Sequence, residues 1–187
     1  MLMTRTAPNS DEDVLVERAK KDHEAFSELY RRYSPRIHNY LSRRVGDAAE
    51  AEELTAAVFL RALSRLETYD VKEGSFSTWI FTIAHNALVN WYRDQKRRGT
   101  VPGAEPAGPQ DVVASILRAE DRNLVQRAVA RLPQERQELI SLKYVEERSN
   151  AEIGRIMGRS EGAVKSLLHR TVRALREEMG RQSNPGQ

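Results

Sequence analysis

The sequence predicts an all-α fold: two small helical domains joined by a flexible linker. Three observations carry this expectation. Apolar residues recur at three- and four-residue steps through the long segments, the spacing of one helix face. Residues 99–110, GTVPGAEPAGPQ, hold three of the ten glycines and three of the seven prolines, a composition that suits neither helix nor sheet. Residues 149–175, SNAEIGRIMGRSEGAVKSLLHRTVRAL, read as helix, tight turn, helix. The resulting division is a tail at 1–10, a first domain at 11–98, the linker at 99–110, a second domain at 111–179 and a tail at 180–187.

The 187 residues are 40% hydrophobic and 30% charged, which suits a soluble, core-forming protein. The net charge of +3 only hints at an acidic partner, so the placement of the charges matters more than their sum. There is no cysteine, which excludes disulfides and thiolate metal sites and is compatible with the cytoplasm. No stretch approaches the ~20 apolar residues of a membrane span, and MLMTRTAPNSDED has no signal-peptide core. The histidines lack metal-ligand spacing, and neither a nucleophile elbow nor a phosphate-binding glycine loop occurs. The expectation is therefore no enzymatic activity, no cofactor and no metal.

In chain order, a short helix is expected from Asp11 to Lys20. Residues 22–45 follow, with Phe26, Leu29, Tyr30, Tyr33, Ile37, Tyr40 and Leu41 as a core stripe and Pro35 as a kink. Gly46-Asp47 breaks the chain, and Asp47 with Glu50 forms a cap-and-return pair opening the next helix. That helix carries the stripe Leu54, Val58, Ala62 and Leu66. The acids Asp47, Glu50, Glu52 and Glu53 at its start either stabilise the helix N-terminus or form a docking patch. After the connection 67–75, Phe76, Trp79, Ile80, Ile83, Ala84, Ala87, Leu88 and Trp91 make the strongest stripe. Its other face bears Thr78, His85, Asn86, Asn90 and Arg93 and leads into Lys96, Arg97 and Arg98, a reasonable nucleic-acid surface. Trp91 and Tyr92 are expected to be the more exposed aromatics.

The linker could span roughly 40 Å when extended, at ~3.3–3.6 Å per residue. Beyond it, a helix from Asp111 to Arg131 is expected, then one with Pro133 at its first position and Leu139, Ile140 and Tyr144 in the core. Ser149 and Glu152 form a capping box, Gly158 ends the first helix of the hairpin, and Ser160 caps the second. Gly154 is small where two helices cross closely. The outward face of the second helix carries Arg159, Lys165, Ser166, His169, Arg170 and Arg173, which suit phosphates. Ser160, Glu161, Gly162 and Ala163 lie where base edges would be met. A solvated basic face is the bland alternative, which the turn glycine, cap and small residue together disfavour.

Four segments in this order (EAFSELYRRYSPRIHNYL, AEELTAAVFLRAL, GSFSTWIFTIAHNALVNWYR and, after the linker, RLPQERQELISLKYVEERSNAEIGRIMGRSEGAVKSLLHRTVRALR) resemble a bacterial extracytoplasmic-function sigma factor of the sigma-70 family. The first domain resembles the region 2 helical bundle and the second the region 4 helix-turn-helix domain; the intervening third domain of larger members is absent. The resemblance implies an alternative sigma factor that binds core RNA polymerase through the β′ clamp and β subunits. It further implies promoter DNA as ligand, a cytoplasmic location and an anti-sigma factor as regulator. By this resemblance, Glu52, Glu53, Leu54, Thr55, Val58, Phe59 and Arg61 belong to the polymerase-binding segment. Lys72, Ser75 and Phe76 line a pocket for an extruded −10 base, and Asn86, Asn90 and Arg93 face DNA. Ser160, Glu161, Gly162, Lys165, Ser166, His169, Arg170 and Arg173 meet the −35 element. Against the family's frequent residues, Ala56-Ala57 replaces Gln-Glu, Gly154 replaces alanine, and Leu167 replaces an arginine, which would remove one phosphate contact. A conventional dimeric helix-turn-helix regulator is the runner-up, but it leaves the first half without a role. A helical adaptor that does not bind DNA is the third reading.

Overall fold

The computed structural model describes residues 11–71, 74–99 and 119–183. The expected tail at 1–10, Lys72, the linker beyond Gly99, residues 111–118 and the chain end from 184 lie outside them. Among the described residues there are eight α-helices and no strand. In the first half these are α1 (Asp11–Ala19), α2 (His23–Val45), α3 (Ala48–Arg65) and α4 (Phe76–Arg98).

Local chemistry sets each boundary. Asp22 caps α2 by accepting the Glu24 N–H at 2.9 Å, and Gly46 ends it with φ 76°, a left-handed conformation that costs glycine least. Pro35 does not end the helix; burial of Tyr33, Ile37, Tyr40 and Leu41 on both sides of it outweighs one lost backbone bond. Asp47 caps α3, accepting the Glu50 N–H at 2.9 Å. The expected return bond from Glu50 does not form. Its carboxylate instead accepts the Gln95 side-chain N–H of α4 at 3.1 Å, because that nearly buried amide needs a partner. Ser75 caps α4, and Gly99 ends it at φ 71°. Edge-to-face ring pairs knit α2 to α4: Tyr33 with Phe76 and Tyr40 with Phe81, both at 5.4 Å between centroids.

The second half comprises α5 (Ala119–Ala130), α6 (Gln134–Ile140), a π-turn over Ser141–Val145, α7 (Asn150–Met157) and α8 (Glu161–Ser183). Pro133 takes the cap position of α6, one residue before its expected place. Tyr144 is 36% exposed rather than in the core. The wide π-turn shifts the register, so Leu142 takes the buried position.

The hairpin forms as its sequence dictates. Ser149 and Glu152 complete the capping box, and Gly158 adopts φ 64° at the turn. Ser160 accepts the Ala163 N–H at 3.2 Å to open α8. Gly154 meets the turn itself: a Cβ there would lie 2.6 Å from the Arg159 carbonyl oxygen. Gly154→Ala is therefore expected to lose about 1–3 kcal/mol of stability, the usual cost of forced overpacking, seen as a lowered melting temperature.

The two halves pack on each other, chiefly through α4 against α7. One continuous core joins Ile80 and Phe81 to Leu139, Leu142, Ile153 and Ile156. Glu138, 6% exposed, takes a hydrogen bond from the Tyr40 hydroxyl and lies 2.6 Å from His85 Nδ1. Burial pushes its carboxyl pKa up, but the His85 hydrogen bond and charge, the Arg44 charge and the Tyr40 bond together hold it below the ordinary 4.5. Glu138 thus contributes stability above the unfolded value that is lost as pH falls through its lowered folded value. Tryptophan fluorescence at the contact should stay constant through neutral pH and change only below about 4.5, the ordinary carboxyl value.

Candidate functional site

Three surfaces carry the residues singled out above. On α3 the helix divides sharply. Glu52, Glu53 and Arg61 are exposed and Leu54 is partly so, as docking requires. Val58 and Phe59 are not on that surface, being buried, while the nearly buried Thr55, its hydroxyl on the Ala51 carbonyl at 2.7 Å, reaches only the groove between α2 and α3. They belong to the stripe that packs α3 on its neighbours, since helical spacing places them opposite the outward side. The outward side instead presents Leu60, 68% exposed, and Leu63. An apolar residue on the polar side of the stripe was the legible signal for Leu60. Beside them a groove of about 470 Å³ between α2 and α3 is lined by Tyr30, Pro35, His38, Asn39, Glu52 and Ala56, among others. Tyr30, expected in the core, is 44% exposed there, with its ring edge against Phe59 at 4.7 Å.

The second surface is a cleft of about 170 Å³ where the chain enters α4. Tyr69, Gly74, Ser75, Thr78, Trp79 and Thr82 line it, together with Arg155 from α7. Ser75 is where the sequence reading put it, although its hydroxyl also serves as the α4 cap. Phe76 is fully buried and packs edge-to-face on Tyr33 and Tyr69 and tilted on Trp79 rather than lining the cleft. The Tyr69 hydroxyl donates to the Gly74 carbonyl at 2.8 Å. Farther along α4, Asn86 and Arg93 are exposed and Asn90 partly so. Arg93 bonds the Asn90 amide oxygen at 2.5 Å, which pre-sets both side chains. Trp91 and Tyr92 are only partly exposed, with the Tyr92 hydroxyl on the Arg44 carbonyl at 3.3 Å. Thr78 and His85, expected on the open polar face, are covered by the second half: Thr78 bonds Glu152 at 3.2 Å and His85 meets Glu138.

The third surface is the outer side of α8. Ser160, Glu161, Gly162, Lys165, Ser166, His169, Arg170 and Arg173 are all exposed, in one band from the N-terminus of the helix. The early residues can approach base edges, and the cations farther along suit flanking phosphates. Leu167 is 7% exposed and lies in the core, so its side chain is not on the band where an arginine would have met phosphate. Among the described residues no cluster of His, Cys, Asp or Glu could hold a metal ion, and no helix is long and apolar enough to cross a membrane.

Comparison with known proteins gives two family matches on opposite sides of the linker. Sigma-70 region 2 matches residues 29–98, and sigma-70 region 4 matches residues 122–175. The extracytoplasmic-function sigma factor SigW of Bacillus subtilis is 31% identical over 176 residues, covering 86% of this chain and 91% of its own. BldN of Streptomyces coelicolor, of the same class, is 37% identical over 166 residues. That alignment covers 86% of this chain but only 63% of BldN, so the chain spans less than two thirds of that relative. Among solved structures, CnrH in complex with the cytosolic domain of CnrY shares the fold at a TM-score of 0.66 and 19% identity, covering 90% of this chain and 96% of its own. The sigma factor RpoE of Bartonella quintana, solved with the anti-sigma factor NepR, matches at 0.62 and 19% identity, covering 83% of this chain and 96% of its own.

Proposed function

We infer the function from membership: this chain belongs to the extracytoplasmic-function sigma factors of the sigma-70 family. It is an alternative sigma factor, a transcription initiation factor rather than an enzyme, and it works in the cytoplasm, where its polymerase is. Core RNA polymerase docks on α3 through Glu52, Glu53, Leu54, Leu60 and Arg61. The cleft at Ser75 takes an extruded −10 base, and Asn86, Asn90 and Arg93 contact the opened strand. Extraction costs a few kcal/mol, which stacking on Trp79 and pocket hydrogen bonds must offset. The band on α8 reads the −35 element. The working units are residues 11–98 and 111–179. An anti-sigma factor of the kind bound to the Bartonella neighbour is the proposed regulator.

The observation that carries this reading is the pair of family matches flanking one linker, each over an exposed surface of the right chemistry. Run-off transcription of fragmented genomic DNA tests it: core polymerase with this protein should yield discrete transcripts that core alone does not. Duplex binding without polymerase, at a palindromic site and with no new transcript, would favour a dimeric regulator instead. Arg170 supplies a narrower check. Arg170→Ala should weaken binding to the −35 duplex evenly across sequences and lower the log–log salt slope by about one, as loss of a phosphate contact does. Loss confined to one base position would make Arg170 a base reader.

A further inference from the structure

The helical hairpin of the second half and the start of its second helix hold three glycines, and two of them have a reason inside the protein. Gly154 faces the turn, where a Cβ would strike the Arg159 carbonyl oxygen at 2.6 Å, and Gly158 makes the turn at φ 64°. Gly162 has neither reason. It lies in the first turn of α8, its φ is not positive, and a Cβ built on it meets no atom within 4 Å. Glycine is less stable in a helix than alanine, because it loses more backbone freedom on folding. Alanine would fit at this position and strengthen the helix, so the protein's own packing gives no use for the missing side chain. Gly180 is equally unconfined, but it lies three residues from the end of α8, where helices fray.

The use lies outside. Gly162 leads the line Gly162, Lys165, Ser166, His169, Arg170 and Arg173, whose steps of three and four residues place them on one helix face. All are exposed. The missing side chain leaves a notch at the leading end of the band assigned to the −35 element, so the helix backbone can come closer to what it lies against. The neighbouring groups narrow what that is. Ser160 accepts the Ala163 N–H at 3.2 Å, and Gly162 and Ala163 bring no polar side-chain atom. The exposed Glu161 carboxylate has no partner among the described residues. A carboxylate accepts hydrogen bonds and donates none, and its charge repels phosphate. In the major groove, guanine and thymine offer it only acceptors. Adenine sets its N7 acceptor beside the N6 amino group, whereas cytosine offers the N4 amino group alone.

We propose that the first turn of α8 is a cytosine-reading notch: Gly162 lets the helix backbone sit close to the floor of the major groove, and the Glu161 carboxylate accepts a hydrogen bond from the N4 amino group of a cytosine in the −35 element. This rests on reading α8 as the −35 helix. Lys165, Arg170 and Arg173, farther along, supply phosphate contacts that hold the register, and Glu161 supplies a base preference that phosphate contacts cannot.

The test uses holoenzyme, assembled from core polymerase and this protein, and a promoter found by run-off transcription and randomised across its −35 element. The bound fraction should be enriched in a C·G pair at one position, about tenfold over each other pair there. Glu161→Gln should lose that preference and shift it to A·T, because a glutamine amide matches adenine N6 and N7, while preferences at the other positions stay. Gly162→Ala should melt no lower than the parent, yet bind every −35 sequence about tenfold more weakly, since the added methyl holds the helix off the groove floor. Parental preferences in Glu161→Gln would make the carboxylate a bystander, and tighter binding to all sequences would make it an electrostatic brake; either overturns the base assignment. Unweakened binding by Gly162→Ala would overturn the notch. Run-off transcription with the parent tests the reading beneath both. Transcripts alongside unaltered preferences in the variant would condemn this proposal alone, whereas no transcripts from the parent would remove the −35 reading and the proposal with it.

Discussion

Glu53→Arg combined with Leu60→Arg should reduce affinity for core polymerase by at least about 30-fold and abolish directed transcription. A central interface residue typically contributes about 2 kcal/mol or more, and each 1.4 kcal/mol is tenfold. Both side chains point away from the core, so helical content and melting temperature should not change. Leu60 carries most of the expectation. An exposed leucine is unremarkable alone, but one that continues a line of Glu53, Ala56 and Leu63 beside a groove reads as a partner surface. Titrating fluorescently labelled protein with core polymerase gives the affinity directly. Unchanged binding would remove α3 from the interface. Val58→Ala is the control: its side chain is 1% exposed, so it should lower stability and affect polymerase only through folding.

Phe81→Ala is the substitution expected to damage the fold most. The ring is fully buried, packs its face or edge on Tyr40, and lies under the guanidinium groups of Arg148 and Arg36. Removing it leaves a cavity and deprives two cations of their stacking partner. The expected loss is about 3–5 kcal/mol, as for other phenylalanine truncations in cores. For a chain of this size that lowers the melting temperature by roughly 6–20 °C. Thermal unfolding followed by circular dichroism measures it, with Phe81→Leu expected to cost much less. A shift of only a degree or two would show that the contact between the halves contributes nothing to the stability of the first.

The acid response, the Gly154 substitution and the two large effects concern different depths of one molecule, and the sequence revealed those depths unequally. Helix identities, the Asp47 start, the Ser149–Glu152 box and the Gly158 turn were legible, because each depends on residues within four positions of one another. The basic band of α8 was legible for the same reason: helical period alone decides which residues share its outer side.

What the sequence did not determine was which side chains of the first half reach solvent. Thr55 and Phe59 lie in a segment singled out for polymerase, yet pack inward, because a segment motif does not distinguish the side facing a partner from the side facing the core; Val58 and Phe76 pack inward as their apolar stripes imply. Glu50 turned from its own helix start to Gln95, forty-five residues away, since a buried amide competes for the same carboxylate. The π-turn that exposes Tyr144 depends on how α6 meets α7 and leaves no periodic trace. The docking of the second half on the first is the largest thing only the tertiary structure decided. No periodic pattern or motif marks Glu138, Glu146 and Arg148 as buried. They are buried because the second half docks on α2 and α4, and partners about a hundred residues apart, such as Arg36 and Glu146, have no local signature. Short-range hydrogen bonding and helical period fixed the elements; long-range packing chose which of their faces remain available to polymerase and DNA.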